Sequence, residues 1–252
     1  MSVVGDPRPT RDARQGENPD MSRFIEGRLP MAHRLTYTLA VPDVAAPASG
    51  HALVAALHGK GDDGAALRAR LADWESAPFA ALWLDAPWPI ESGDPPRLGR
   101  SWYAYAGDDA AFREELLRVA AIVVDAVRTV ATTHGLDLGR CGLFGYSQGG
   151  YLAGVAAMAH PSAFRGLAVA SARIKTEMFD GALAPLRGFP VLALHGRRDP
   201  HVSFERQVAA VDALRASGVD ATLRAHDGGH GLRSDAGSAL ARFFAEVFAR
   251  TP

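Results

Sequence analysis

From about residue 33 onward, short apolar runs of strand length alternate with longer stretches whose apolar residues recur at three- and four-residue steps. That alternation predicts a mostly parallel sheet with helices on both faces, an α/β architecture. The first run, Arg34 to Val41 (RLTYTLAV), alternates as a half-buried strand does. HALVAALHG at 51–59 is continuously apolar and ends in a glycine turn, and FAALWLDAP at 79–87 is stopped by Pro87. RCGLFG at 140–145, FRGLAVAS at 164–171, FPVLALHG at 189–196 and VDATLRAH at 219–226 complete the predicted strands. The helical stretches are Ala65 to Trp74, Asp109 to Thr133, Gln148 to Ala159, Phe204 to Ser217 and Ser234 to Arg250. In the second of these, Phe112, Leu116, Val119, Val123, Val127 and Val130 form one stripe, and Gly135 follows where a left-handed cap is common. The segment from Pro87 to Ala106 breaks the rhythm. It is long, rich in Pro and Gly, and carries Trp88, Trp102, Tyr103 and Tyr105, so it reads as an aromatic loop walling a site.

Residues 1–30 mix Pro, Gly, Arg and Asp without an apolar run and cannot contribute a core element. They read as a disordered leader, or as a non-native one with Met21 or Met31 as the true start; Ile25 to Arg28 (IEGR) also matches a protease site used in engineered fusions. Residues 31–252 then make up the folded domain. With 252 residues of which 48% are hydrophobic, the chain can bury a core for one domain of this kind. Lys plus Arg total 27 against 28 Asp plus Glu, and this balance gives no reason to expect nucleic acid or an anionic membrane as partner. A small molecule is expected instead. The single cysteine, Cys141, excludes an intrachain disulfide, and the leader lacks the apolar centre of a signal peptide, so a cytoplasmic location is expected. No apolar run approaches the roughly 18–20 residues of a membrane span. Only two of the basic residues are lysines, Lys60 and Lys175.

The candidate chemistry sits at the strand ends. Cys141 to Phe144 is a short apolar strand, Gly145 to Gly149 fits G-x-S-x-G, and a helix rich in small residues follows at once. Strand, sharp turn and helix are the context of a nucleophile elbow, in which the glycines leave room for strand and helix to approach and Ser147 Oγ stands above the strand end. A serine hydroxyl needs a base, and the base an orienting acid. Asp199 lies in the loop after the strand at 189–196, 52 residues beyond Ser147, and His230 follows the strand at 219–226, 31 residues beyond Asp199. Both positions are strand-end loops, where open α/β sheets keep their sites. An oxyanion hole needs two backbone N–H groups. Gln148, next after the serine, would offer one, and Lys60 in the glycine-rich loop HGKGDDG at 58–64 the other.

HGKGDDG, GYSQGG, LHGRRDPHV and GGHG together resemble the motifs of the phospholipase/carboxylesterase family of the α/β-hydrolase superfamily, which includes the acyl-protein thioesterases. The resemblance runs from about residue 33 to 250 and implies an α/β-hydrolase fold with Ser147 as nucleophile, Asp199 as acid, His230 as base, and Lys60 and Gln148 as oxyanion donors. The family usually has an apolar residue where Lys60 stands, so a hydrophobic acyl groove is in doubt there. Lys60 either attracts an acidic substrate group or points into water.

Competing readings accompany each residue. Ser147 could be a turn serine, Asp199 a turn former before Pro200, and Asp227 a rival acid, though too close in sequence to His230. His226, His201 and His58 compete with His230, whose flanking glycines give it the freedom a base needs. His58 and His195 read as structural, and His33, His51 and His160 as surface positions. The histidines lack the spacing and cysteine companions of a metal site, and no cofactor is expected. Cys141 reads as a small buried hydrophobe. Trp102 and Tyr103 are either core aromatics or substrate-binding residues of a pocket wall. The stretch 171–189 is too short for a large cap domain, which favours open access and soluble esters or thioesters of small to medium acyl groups over long lipid chains. A serine peptidase, or a non-catalytic binding protein on the same fold, remains the alternative.

Overall fold

The computed structural model describes residues 34–105, 107–179 and 183–250. Its apolar runs become strands sealed on both sides: every residue of β2 (Leu53–Leu57), β3 (Ala80–Leu84) and β7 (Gly166–Ala170) is buried. With β1 (Tyr37–Ala40), β6 (Cys141–Tyr146), β8 (Pro190–Gly196) and β9 (Asp220–His226) they form a seven-stranded sheet in the order β1-β3-β2-β6-β7-β8-β9. Only β1 runs antiparallel to its neighbour; the other pairs are parallel. The two outermost strands are the ones with exposed residues, because helices cover an edge strand less completely.

Successive side chains on a strand point to opposite faces, so each run divides its apolar residues between two cores. Leu53, Ala55 and Leu57 of β2 pack with α2 (Asp109–Thr133), α3 (Gln148–Ala159) and α4 (Phe204–Ala216), whereas Val54 and Ala56 pack with α1 (Gly64–Arg70) and α5 (Ala236–Ala249). The predicted stripe of α2 is the face it buries: Leu116, Val119, Val123, Val127 and Val130 are all inside, and Phe112 at its start is half-buried against the same core. Asp108 caps its start by accepting from the Ala110 and Ala111 N–H groups at 2.9 and 3.0 Å, and Gly135 ends it at φ 63°.

The structure departs from expectation in three places. The helix predicted over Ala65 to Trp74 splits, because Leu71 leaves helical geometry at φ −116°, ψ 37° and a 3₁₀ turn follows at Ala72–Ser76. That turn drops Trp74 into the core, where its indole N–H donates to Gly237 O at 3.0 Å. The aromatic loop contains a hairpin, β4 (Trp88–Ser92) with β5 (Arg97–Ser101). Its residues are mostly exposed, so no apolar alternation announces it. It is pinned to the loop after β2 by Gly61 N–H to Arg100 O at 2.8 Å and Arg100 N–H to Asp62 O at 2.9 Å. His51, read as a surface residue, is buried, with its carbonyl accepting from Asp137 N–H at 2.9 Å. Between β7 and β8 the described residues make only short 3₁₀ turns, and no large cap is evident. The described residues form one compact unit; the predicted leader, residues 1–30, lies outside them. No described helix is long and apolar enough to cross a membrane.

Candidate active site

β6 delivers the chain to Ser147 and α3 carries it away, so Ser147 must reverse direction in a single residue. It does so at φ 51°, ψ −118°, left-handed territory that a side chain occupies at a cost of about 1–3 kcal/mol. The surroundings hold it there. Ser147 N–H donates to Ala170 O at 2.9 Å, and the Gly150 and Tyr151 N–H groups donate to Ser147 O at 2.9 and 3.1 Å. The approach is possible only because two neighbours are glycines. A Cβ on Gly145 would stand 2.2 Å from Gly149 O, and one on Gly149 would stand 2.3 Å from Leu57 O.

The loops after β8 and β9 bring Asp199 and His230 to this turn. Ser147 Oγ lies 2.8 Å from His230 Nε2, and His230 Nδ1 lies 2.8 and 3.0 Å from the two Asp199 oxygens. Burial alone would raise the Asp199 carboxyl. The Val202 and His201 N–H groups, at 3.0 and 2.9 Å, and His230 override it and hold the carboxyl below its ordinary value. An ionised carboxylate only accepts, so the proton between them belongs to Nδ1, which leaves Nε2 to accept from the Ser147 hydroxyl. Tyr146 OH donates to His230 O at 2.9 Å and steadies the histidine loop. Arg70 lies over the Tyr146 ring, 5.4 Å from its centre, and is itself paired with the buried Asp62. This support from Tyr146, Arg70 and Asp62 was not foreseen, since nothing in the motif spacing ties Arg70 to the elbow.

The loop HGKGDDG reaches the same point. A Cβ on Gly59 would stand 3.4 Å from Ser147 Cβ, which places Gly59 beside the serine with Lys60 the next residue along the chain. Lys60 itself is exposed. His58 anchors the loop from below: its Nε2 accepts from Ala86 N–H at 3.0 Å, so the proton sits on Nδ1 and donates to Gly59 O at 2.7 Å. Trp102 and Tyr103 take a different place from a pocket wall. Trp102 is wholly buried and donates its indole N–H to His58 O at 2.9 Å; Tyr103 is buried and donates its hydroxyl to Gln148 O at 3.3 Å. The Gln148 side chain completes the clamp by accepting from Trp102 N–H at 3.0 Å and donating to Ser101 Oγ and Tyr103 O, both at 2.9 Å. The glutamine of GYSQGG, directly after the serine in the motif that carries the family resemblance, was the available signal for this side-chain role.

Among the described residues the rivals make no hydrogen bond to Ser147, although His195 Nε2 lies 3.5 Å from an Asp199 oxygen. Asp227 is almost fully exposed and stands near Arg197, and His226 Nδ1 accepts from Gly228 N–H at 3.1 Å. His195 is buried with Nε2–H directed at Val202 O, 3.0 Å away. His201 sits edge-on to His230, with ring centres 5.0 Å apart, and makes no contact with Ser147 among the described residues. A cavity of about 370 Å³ on the α5 side, bounded by Ser171, His226 and Leu232, is lined by none of Ser147, Asp199 and His230.

Several solved structures share this architecture. Esterase PE8 superposes with a TM-score of 0.68 at 23% identity, over 85% of this chain and 99% of its own. Acyl-protein thioesterase 2 of Zea mays gives 0.63 at 19% identity, over 85% and 99%. The carboxylesterase of Bacillus cereus gives 0.62 at 17% identity, over 85% and 95%. At these identities the likeness establishes the α/β-hydrolase fold alone. No curated protein sequence matches the chain. The sequence profile of the phospholipase/carboxylesterase family matches residues 40–247, which include the elbow, both loops behind it and the strands that carry them; the chain belongs to the phospholipase/carboxylesterase family.

Proposed function

We infer that this protein is a serine hydrolase that cleaves carboxylic esters or thioesters of small to medium acyl groups through an acyl-enzyme on Ser147. The observation that carries the reading is the unbroken relay from Ser147 Oγ to His230 at 2.8 Å and on to Asp199 at 2.8 Å, mounted on a strained turn. In the first half, Ser147 Oγ attacks the carbonyl carbon as its proton passes to His230 Nε2. Asp199 holds the imidazole in the required tautomer and faces the imidazolium that forms. The imidazolium then protonates the departing alkoxide or thiolate. In the second half, water gives its proton to Nε2, attacks the acyl carbon, and Ser147 leaves as the alcohol with the proton returned. The main-chain N–H groups of Gln148, at the start of α3, and Lys60, the residue after Gly59, are the proposed donors to the tetrahedral oxyanion. Among the described residues neither donates to another backbone carbonyl.

The test is labelling with a fluorophosphonate, followed by turnover of short-chain 4-nitrophenyl esters. Wild-type protein should be labelled and active, and Ser147→Ala should lose the label and nearly all turnover, a fall of about 10⁴-fold or more. An unlabelled wild-type protein would contradict the reading and favour a non-catalytic binding role. Faster cleavage of a matched anilide than of the ester would point to a peptidase.

A further inference from the structure

A concentration of positive charge at the mouth of the segment leaving β7 has no part in the steps above. Arg173 and Lys175 come from the segment leaving β7, Arg206 from the first turn of α4 and Arg113 from the N-terminal part of α2. With Asp109, Glu177, Phe112 and Met178 they bound a groove of about 470 Å³. A second groove, of about 390 Å³, shares Arg173, Glu177 and Arg206 with the first, so the Arg173–Glu177 pair is the rib between them.

The groove adjoins the elbow. Ala172 packs so closely on α3 that a Cβ on Gly150 would stand 2.5 Å from its methyl group, and Arg173 is the next residue. Tyr151 N–H donates to Ser147 O at 3.1 Å, so Tyr151 is one helical turn from Ser147, and Lys175 Nζ lies 6.0 Å from the centre of the Tyr151 ring. Tyr151 therefore links the groove to the elbow.

Its charges do not balance, with four cations facing two carboxylates. Glu177 is half exposed and already serves Arg173, at 2.8 and 2.6 Å, with Lys175 at 3.9 Å. Asp109 accepts from Tyr105 OH at 3.0 Å. Arg206 forms no ion pair with a described residue, and Arg113 donates to Met178 O at 2.8 Å. Lys175 lies over Phe112 as well, 5.3 Å from the ring centre, and is mostly sheltered from solvent. Burial, and secondarily the charge on Arg173, holds its ammonium below the usual lysine range. An ion-pair network that existed only to stabilise the fold would match its cations with carboxylates. This one retains an excess of positive charge, with Lys175 against the Phe112 and Tyr151 rings and Arg173 held by Glu177, the arrangement that favours a bound anion. It would also penalise a neutral acyl chain, which would strip water from cations without replacing it.

We propose that the groove lined by Arg113, Arg173, Lys175 and Arg206 binds an anionic group of the substrate, a carboxylate or a phosphate, and so directs the enzyme to esters or thioesters that carry a negative charge. The proposal rests on the reading of Ser147 as nucleophile. It is tested by kcat/KM for 4-nitrophenyl monoesters of linear dicarboxylic acids, from succinate to adipate, against the matching terminal carboxamides and against acyl esters ending in a phosphate. At low salt at least one anionic series should exceed the carboxamide by about tenfold or more, and the advantage should shrink as salt is raised. The series with the larger advantage names the anion. In the Lys175→Met/Arg206→Met double variant the anion-to-carboxamide ratio should fall toward one, whereas Arg128→Met, an exposed arginine of α2 outside the groove, should keep the wild-type ratio. Arg173 is left in place because it holds Glu177. Equal or faster turnover of the carboxamide by wild type, or an undiminished ratio in the double variant, overturns the proposal. If neither ester is turned over and Ser147 resists the fluorophosphonate, the hydrolase reading fails and takes this proposal with it. A labelled, active serine without anion preference overturns this proposal alone.

Discussion

The side-chain amide of Gln148 accepts from Trp102 N–H and donates to Ser101 Oγ and Tyr103 O, while its main chain opens α3 one residue beyond Ser147. Truncation to Gln148→Ala keeps the main-chain N–H but strands the buried Trp102 N–H and leaves Ser101 Oγ and Tyr103 O with only their bond to each other, at 2.9 Å. We expect it to cost about 2–3 kcal/mol in urea unfolding and at least about tenfold in kcat/KM. His58 makes a second residue-scale prediction. Burial keeps it neutral and pushes its pKa below the ordinary 6.5. The unfolded chain takes up that proton near pH 6.5 and the folded chain does not, so the stability tied to His58 is fully present above 6.5 and is lost as pH falls below it. Urea midpoints between pH 8 and 5 should therefore decline less steeply for His58→Gln than for wild type. His226, whose pKa is lowered in the same direction, contributes to both slopes and cancels in the comparison.

For whole elements, the contact of β6 with α3 is decided by absent side chains. Gly145→Ala drives a methyl group into the Gly149 backbone and should destabilise the protein by about 3 kcal/mol or more, with loss of fluorophosphonate labelling even where folded protein is recovered. Gly154→Ala on the same helix is the contrast. Its Cβ would meet Ile174 Cγ2 at 3.4 Å, ordinary contact, so the unfolding free energy measured in denaturant should be unchanged or raised by up to about 1 kcal/mol from the gain in helix propensity. Elements whose identity rests on periodicity were legible in the chain. α2 buries the stripe that its three- and four-residue spacing marks, and β2, β3 and β7 follow their apolar runs. The hairpin β4–β5 was not, because its order comes from Gly61 and Asp62 in a distant loop rather than from an apolar face of its own.

Across the molecule, the sheet shields its centre so fully that the only cysteine becomes a reporter of global unfolding. Cys141 lies on β6, is 2% exposed, and burial pushes its thiol up to about 12. A maleimide or iodoacetamide at pH 8 should leave the folded protein unlabelled and react stoichiometrically once denaturant crosses the unfolding transition. Labelling at the native rate of a free thiol would show that β6 opens without global unfolding.

By itself the sequence determined the α/β class, the family resemblance and the expected positions of Ser147, Asp199 and His230, since strand-end loops in this fold can be located from the order of apolar runs and glycines. Distances belong to the tertiary structure. It joined His230 to Ser147 across 83 residues and turned Trp102 and Tyr103 from an expected pocket wall into the support of the Gln148 turn. It also gathered Arg113, Arg173, Lys175 and Arg206 from three separate segments into one groove. None of these follows from local pattern, because side-chain contacts between distant segments are fixed by how the sheet stacks its strands and aims the loops that leave them.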